Sequence, residues 1–202
     1  MKNAIEMKYK RTFFPALIMF VALFWSGCAQ EDNVVVTIHT SKGDIVVAVD
    51  TLAAPVSSHN FLKYVDLRLY DGGTFFRAVR MDNQPMDSIR IEVIQGEANL
   101  ELDEQFFDPI PLERTSTTGL YHVDGAISMA RGGPDSATHS IFFCIGDQPS
   151  LDFGGMRNPD GQGFAAFGNV LSGMDVVRAI QSGETNRQTL VAPVVIDSVR
   201  VN

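Results

Sequence analysis

The chain has 202 residues, of which 45% are hydrophobic and 20% charged, so it is long and apolar enough to bury the core of one domain. Its 24 acidic and 16 basic residues give a formal net charge of −8, without a dense run of Lys and Arg, which argues against a nucleic-acid-binding protein. Its two cysteines exclude a disulfide-stapled scaffold and a structural zinc site built from several thiolates.

The N-terminus has the pattern of a secretory signal. Four basic residues precede an uncharged apolar run that is shorter than the roughly 20 residues a membrane-spanning helix needs. Ser26-Gly27-Cys28 follows, and this exit resembles the lipobox of bacterial lipoproteins, although Trp25 stands where a leucine is usual. We predict a lipoprotein signal peptide over residues 1–27, lipidation of Cys28 and a short linker over residues 28–33. The alternative is an ordinary signal peptide cut nearby, with Cys28 left as a free thiol.

These features predict a location. Acylation of Cys28 anchors a protein to a membrane without a spanning helix. Ala29 is not the aspartate that retains many lipoproteins at the inner membrane. We therefore expect the protein in the bacterial cell envelope, with the outer membrane facing the periplasm favoured.

Residues 34–202 predict one domain rich in β-strands. The first two predicted strands are β-branched almost throughout and are joined by a short turn, as in a hairpin. The predicted strands span residues 34–40, 45–49, 74–79, 89–94, 126–130, 141–145, 164–170 and 194–201.

Two helices are predicted between the strands. The first begins at Pro55, carries an apolar face that runs to Leu69, and is closed by Gly72-Gly73. The second begins near residue 173, with Ser172 as its side-chain cap. Residues 95–125 are irregular and predict an ordered, functional loop.

This element order favours an antiparallel barrel whose open ends the helices cover. A β-sandwich fits the pattern nearly as well. Alternation along a strand also requires one of Phe142 and Phe143 to lie in the core, and Cys144 in the same apolar strand predicts a buried thiol.

Four segments, in order, resemble the cyclophilin family of peptidyl-prolyl cis-trans isomerases. They are YDGGTFFR (residues 70–77), VIQG (93–96), the stretch from SMAR to FFC (128–144), and FAAFGNV with GMDVV (164–177). The resemblance implies a mainly β fold, an eight-stranded antiparallel barrel capped by two α-helices. It also implies isomerisation of X–Pro bonds in polypeptides, without a cofactor or a metal.

The resemblance assigns roles to individual residues. Arg77 would be the catalytic arginine, and Gln95 would hold the substrate backbone and orient Arg77. The implied substrate-binding residues are Val93, Ala130, Arg131, Phe142, Leu151 and Phe164. A guanidinium is a rigid, permanently charged donor, which suits a reaction that needs a hydrogen bond to the prolyl nitrogen.

Some residues depart from the family pattern. Glu92 replaces a pocket phenylalanine, and its carboxylate would bring water into the pocket. If the register shifts by one residue, Glu92 points outward and Ile91 and Val93 pack in the pocket instead. Ser150 replaces a tryptophan or phenylalanine, so that Ser150 and Glu92 together would weaken binding of a cyclosporin-type ligand. Ser140 replaces a glutamine, and Phe164 a histidine.

We therefore predict a lipid-anchored isomerase whose partners are proline-containing polypeptides and, through its anchor, a membrane. It would assist the folding of exported proteins. Two alternatives stay open: a catalytically weak proline-peptide binding module or chaperone of the same fold, and an unrelated envelope β-barrel scaffold. Catalysis by wild type but not by Arg77→Ala separates the first alternative from an enzyme.

Overall fold

A computed structural model describes residues 33–202, except for the side chain of Asp103. The predicted signal peptide, Cys28 and nearly all of the predicted linker lie outside the described residues. The elements are β1 (Asn33–Thr40), β2 (Gly43–Asp50), α1 (Pro55–Asp66), β3 (Thr74–Val79), β4 (Val93–Glu97), α2 (Thr115–Thr118), β5 (Ala126–Met129), β6 (Ile141–Cys144), β7 (Ala165–Ser172), α3 (Met174–Gln181), β8 (Thr185–Asn186) and β9 (Thr189–Val201). Short 3₁₀ turns occur at Leu100–Gln105 and Pro149–Leu151.

Eight of these strands close into an antiparallel barrel, in the order β1-β2-β7-β5-β6-β4-β3-β9, and β9 pairs back with β1. The predicted barrel is confirmed, and the sandwich is wrong. The very short β8 forms a hairpin with the start of β9. The described residues contain three α-helices instead of the predicted two, because Thr115–Thr118 forms one extra turn that ends at the left-handed Gly119. Among residues 33–202, no helix is both long and apolar enough to cross a bilayer.

The first hairpin forms as its β-branched pattern predicts. Along β1 and β2 buried residues alternate with more exposed ones, and Ile38 and Ile45 are fully buried partners across the ladder. Since side chains on a strand alternate between faces, one face of this pair lines the barrel core.

Helix α1 is shorter than predicted. Pro55 occupies its first turn as expected, and Phe61 packs against Phe167 of β7 with ring centroids 5.4 Å apart. The helix ends at Asp66, before Gly72-Gly73, because Arg68 adopts a left-handed φ of 58° and the Leu69 N–H bonds back to the Tyr64 carbonyl. That geometry terminates a helix.

The predicted strand over 89–94 is wrong in its bounds, because residues 80–92 form a compact loop and β4 begins only at Val93. The side chain of Gln84, which is 1% exposed, organises this loop: its amide donates to the carbonyls of Arg80 and Ile91 and accepts from the Ile91 N–H. Gln95, which the sequence places at the start of the irregular stretch over 95–125, instead lies within β4.

The start of α3 and the course of β9 also differ from prediction. Gly173 precedes α3 with a φ of 95°, and Ser172 belongs to β7 and makes no capping bond. A side chain on Gly173 would meet the Asp44 carbonyl oxygen at 2.3 Å, so the close approach of β2 requires glycine. Strand β9 begins at Thr189, five residues earlier than expected, and passes through Pro193 where its register with β3 shifts.

Candidate active site

A cavity of about 390 Å³ lies on the outside of the barrel and brings the predicted site residues together. All eight of the residues to which the resemblance assigned substrate or catalytic roles line it: Arg77, Val93, Gln95, Ala130, Arg131, Phe142, Leu151 and Phe164.

A row of paired residues across four strands places the side chains of Arg77, Gln95 and Phe142 in this cavity. Arg77 on β3 lies opposite Gln95 on β4, Gln95 opposite Phe142 on β6, and Phe142 opposite Ser128 on β5. Directly opposite residues share a face of a sheet, so these side chains point the same way. Phe143, by alternation, is fully buried in the barrel core, as the sequence required of one member of the pair.

A bulge sets the direction of Arg77. The register of β3 shifts between Phe75 and Arg77, so that Phe75 and Ala78 enter the core while Arg77 faces the cavity. Without the extra residue, Phe75 and Arg77 would point to the same side of the strand.

The guanidinium of Arg77 is held by two amides. Its Nη1 donates to Oε1 of Gln95 at 2.8 Å, and its Nε and Nη2 donate to Oε1 of Gln188 at 3.0 and 2.5 Å. The Gln95 amide in turn donates to Oγ of Ser140 at 3.1 Å. Burial lowers the pKa of Arg77, and Arg157 nearby lowers it further, but a guanidinium remains charged at neutral pH. Because both acceptors are uncharged, they orient the positive charge without neutralising it.

The other half of the cavity is apolar. Val93, Phe142 and Leu151 are at least 95% buried, and Phe164 stands edge-on to Phe142, with centroids 5.5 Å apart and planes at 88°. Such a pocket can hold a small apolar ring out of water.

Glu92 does not line the cavity, so of the two arrangements that the sequence allowed, the shifted one is observed. Ile91 and Val93 line it instead, and the Glu92 carbonyl accepts the Ile145 N–H at 2.9 Å. The wall of the cavity is therefore apolar at this point. Ser150 likewise lies outside the lining of the cavity, whereas its neighbour Leu151 forms part of the wall.

The side chain of Arg131 is held by other residues of the chain. Its guanidinium, 1% exposed, pairs with both oxygens of Asp160, donates to the Gly163 carbonyl and lies 4.9 Å from the Phe164 ring centroid. It lowers the pKa of the Asp160 carboxyl. Arg131 therefore holds the Phe164 wall in place, and the Ala130 N–H is already bonded to the Ser140 carbonyl at 2.8 Å.

Comparison with known proteins agrees with this geometry. The family model described as cyclophilin type peptidyl-prolyl cis-trans isomerase matches residues 35–201. This chain belongs to the cyclophilin family.

Several relatives cover most of the chain. Peptidyl-prolyl cis-trans isomerase A of Dickeya dadantii is 30% identical over 91% of this chain and 93% of its own, and isomerase B of Escherichia coli is 31% identical over 83% and 99%. A cyclophilin-type isomerase of Cryptosporidium parvum, crystallised in the presence of the dipeptide Ala-Pro, superposes with a TM-score of 0.67 at 16% identity, covering 83% of this chain and 98% of its own. The prediction of a prolyl isomerase is confirmed at the level of the family.

Gln188 of this cyclophilin was missed by sequence reasoning. It lies in the β8–β9 turn, 111 residues along the chain from Arg77, and its own carbonyl accepts the Ala78 N–H at 2.9 Å. Only the fold brings Gln188 to the site. A glutamine in a polar turn has no sequence pattern that would identify it as a site residue.

A buried histidine under the pocket was also missed. His122 Nδ1 lies 2.7 Å from an Asp152 carboxyl oxygen and Nε2 lies 3.0 Å from Ser128 Oγ, while the ring stacks on Phe142 at 5.7 Å. The set has the residue types of a hydrolase triad, but Ser128 is fully buried, so no substrate reaches it. It braces the aromatic wall of the cyclophilin pocket from beneath.

Proposed function

We propose that this protein is a lipid-anchored cyclophilin of the bacterial envelope that isomerises X–Pro bonds in exported polypeptides and so assists their folding. The observation that carries the proposal is one cavity in which a guanidinium held by two uncharged amides adjoins a group of apolar side chains.

Each half of the cavity meets one demand of the reaction. Rotation about an X–Pro bond is slow because the nitrogen lone pair is conjugated with the carbonyl, which gives a barrier of about 18–20 kcal/mol. As the bond twists, the lone pair returns to nitrogen and can accept a hydrogen bond. The pocket formed by Val93, Phe142 and Leu151 would hold the proline ring while Arg77 donates to its nitrogen.

Arg77 has donors to spare for this step. A guanidinium carries five N–H groups. The bonds to Gln95 and Gln188 occupy three of them, one each on Nε, Nη1 and Nη2. Two N–H groups therefore remain for the substrate. No proton transfer, nucleophile or metal is needed, because the bond that rotates is never broken.

The anchor and the location rest on the sequence. A basic head, a short apolar run and Ser-Gly-Cys28 support lipidation, and Ala29 supports the outer membrane, facing the periplasm. A folding assistant in that place would meet polypeptides as they leave the inner membrane. Slow prolyl isomerisation limits the folding of such chains to tens of seconds or longer, which an isomerase would relieve.

Replacement of Arg77 tests the catalytic role. Arg77→Ala should lower kcat/KM for a proline tetrapeptide about 10²-fold or more, the usual effect of removing one transition-state donor. Exchange spectroscopy by NMR on an Ala-Pro peptide measures this rate without a coupling protease. The thermal midpoint should stay close to that of the parent.

The matched control is Arg178→Ala. Arg178 is a half-exposed arginine paired with Asp124 and does not line the cavity, so its loss should leave the rate unchanged. Equal rates for the parent and Arg77→Ala would contradict the proposal and favour a proline-binding module without catalysis.

A further inference from the structure

A second cavity, of about 910 Å³, adjoins the candidate active site. One wall consists of residues 82–87 from the loop over 80–92, and the other consists of Thr185 and residues 187–189 from the β8–β9 hairpin. Arg77 lines both cavities. A polypeptide that lies against Arg77 is therefore at the entrance of the second cavity.

Both walls are held in place without a ligand. Asn83 accepts from the Arg80 N–H at 2.8 Å and donates to the Ala78 carbonyl at 2.9 Å, which fixes one wall to the end of β3. Gln188 fixes the other wall through its bonds to Arg77 and Ala78. A ligand therefore need not order either wall, which lowers the cost of binding.

The charges around this cavity are unequally paired. The carboxylate of Asp82 lies 3.3 Å from Arg80, and that of Asp87 lies 3.0 Å from Arg157. The side chain of Arg187, by contrast, makes no hydrogen bond or ion pair with any residue of the described range 33–202, and Arg187 is exposed at the tip of the hairpin. Its φ of 57° belongs to the tight turn that carries Gln188. The unpaired charge at this cavity is therefore positive, in a chain whose net charge is −8.

We infer that the second cavity is a substrate subsite that accepts a Glu or Asp side chain lying within two residues of the proline, with Arg187 as the partner of its carboxylate. The inference rests on the proposed function, since it assumes that a polypeptide binds across Arg77. Arg187 directly precedes Gln188, whose side chain contacts Arg77, and Arg77 and Arg187 line the same cavity. A side chain close to the proline in an extended substrate is therefore placed to enter this cavity.

A set of charged peptides tests the subsite. Ala-rich peptides with one proline would carry Glu, Gln or Lys at each of the two positions before and after it, and NMR exchange would give kcat/KM for each. At one of these positions kcat/KM should be highest for the Glu peptide, lower for the Gln peptide and lowest for the Lys peptide. The value for Glu should be about two- to fivefold above that for Gln, the effect that exposed ion pairs typically give. This Glu-to-Gln ratio of kcat/KM should fall as the salt concentration is raised, because salt screens the ion pair.

Variants of Arg187 identify the group responsible. Arg187→Gln should bring the Glu-to-Gln ratio close to one, and Arg187→Lys should retain most of it. The matched control is Arg68→Gln, because Arg68 is also exposed, also has a left-handed φ (58°), and lines neither cavity. This control should retain the full ratio.

The outcomes separate the two proposals. Failure of the wild-type protein to accelerate exchange in any of the peptides would overturn the proposed function itself. Catalysis of the neutral peptides without a preference for Glu at any position would overturn only the subsite. A preference that survives in Arg187→Gln, or that Arg68→Gln also loses, would overturn the role of Arg187.

Discussion

At the scale of single residues, the site depends on how a cation is held. Arg77 contacts the amide oxygens of Gln95 and Gln188 and no carboxylate within the described chain. An aspartate or glutamate in either place would orient the guanidinium equally well but would offset its charge. Neutral acceptors leave the field of the guanidinium directed at the substrate, where the developing lone pair needs it.

Gln188 is therefore predicted to be a positioning residue. Gln188→Ala should lower kcat about tenfold with little change in KM, because a misplaced donor costs rate more than ground-state binding. Gln188→Glu retains the acceptor oxygen but adds a negative charge, so kcat should fall here too. Steady-state kinetics of both variants, alongside their thermal midpoints, make the measurement. Full activity in Gln188→Glu would show that the neutrality of the acceptor is irrelevant.

At the scale of elements, the closing strand β9 is fastened to the turn after α1. Asp71 accepts from Nη1 and Nη2 of Arg200 at 2.8 and 2.7 Å and from the Val199 N–H at 3.3 Å. These contacts, with the Arg200 side chain first among them, lower the pKa of Asp71. A carboxyl with a depressed pKa stabilises the fold above its unfolded-state pKa of about 3.9, and that stabilisation is lost as pH falls through the folded-state value.

Asp71→Asn should consequently destabilise the protein in a pH-dependent way. The free energy of unfolding at pH 7 should fall by about 1 kcal/mol, the upper range for partly exposed pairs. The difference from the parent should shrink below pH 4 and vanish once Asp71 of the parent is protonated. Urea denaturation between pH 2 and pH 7 measures it. The control is Asp82→Asn, an exposed partner of Arg80 at 3.3 Å, for which less than about 0.5 kcal/mol is expected. A constant difference across the whole pH range would contradict the assignment.

At the scale of the whole molecule, the proposed anchor separates membrane attachment from catalysis. If Cys28 is acylated, Cys28→Ser should move the protein from the detergent phase to the aqueous phase in a cloud-point partition, with unchanged activity on a soluble peptide. Cys144→Ala is the matched control, since it removes the other cysteine and should leave partitioning intact. Detergent partitioning that persists in Cys28→Ser would contradict lipidation.

Sequence patterns predicted the elements that local chemistry determines. The β-branched residues of β1 and β2 and the Pro55 start of α1 lie where expected, because strand alternation and the preference of proline for the first turn of a helix act over a few residues. The eight residues to which the family resemblance assigned roles all line the first cavity.

Features that arise between distant segments were not predictable in this way. The loop over 80–92 replaces the start of an expected strand because one buried side chain, Gln84, satisfies its backbone. That loop moves Glu92 out of the pocket. The bulge before Arg77, its contact with Gln188 and the bond between His122 and Asp152 each depend on register or on contacts across the fold, which no local pattern contains.

Cys144 lies in β6 with its sulfur fully enclosed, and burial raises the pKa of its thiol. A thiolate-directed reagent therefore cannot modify it while the strands remain paired. With Cys28 acylated as proposed, alkylation would report only molecules whose barrel has opened. The rate of labelling in denaturant-free buffer would thus measure how often the native barrel opens, without an introduced probe.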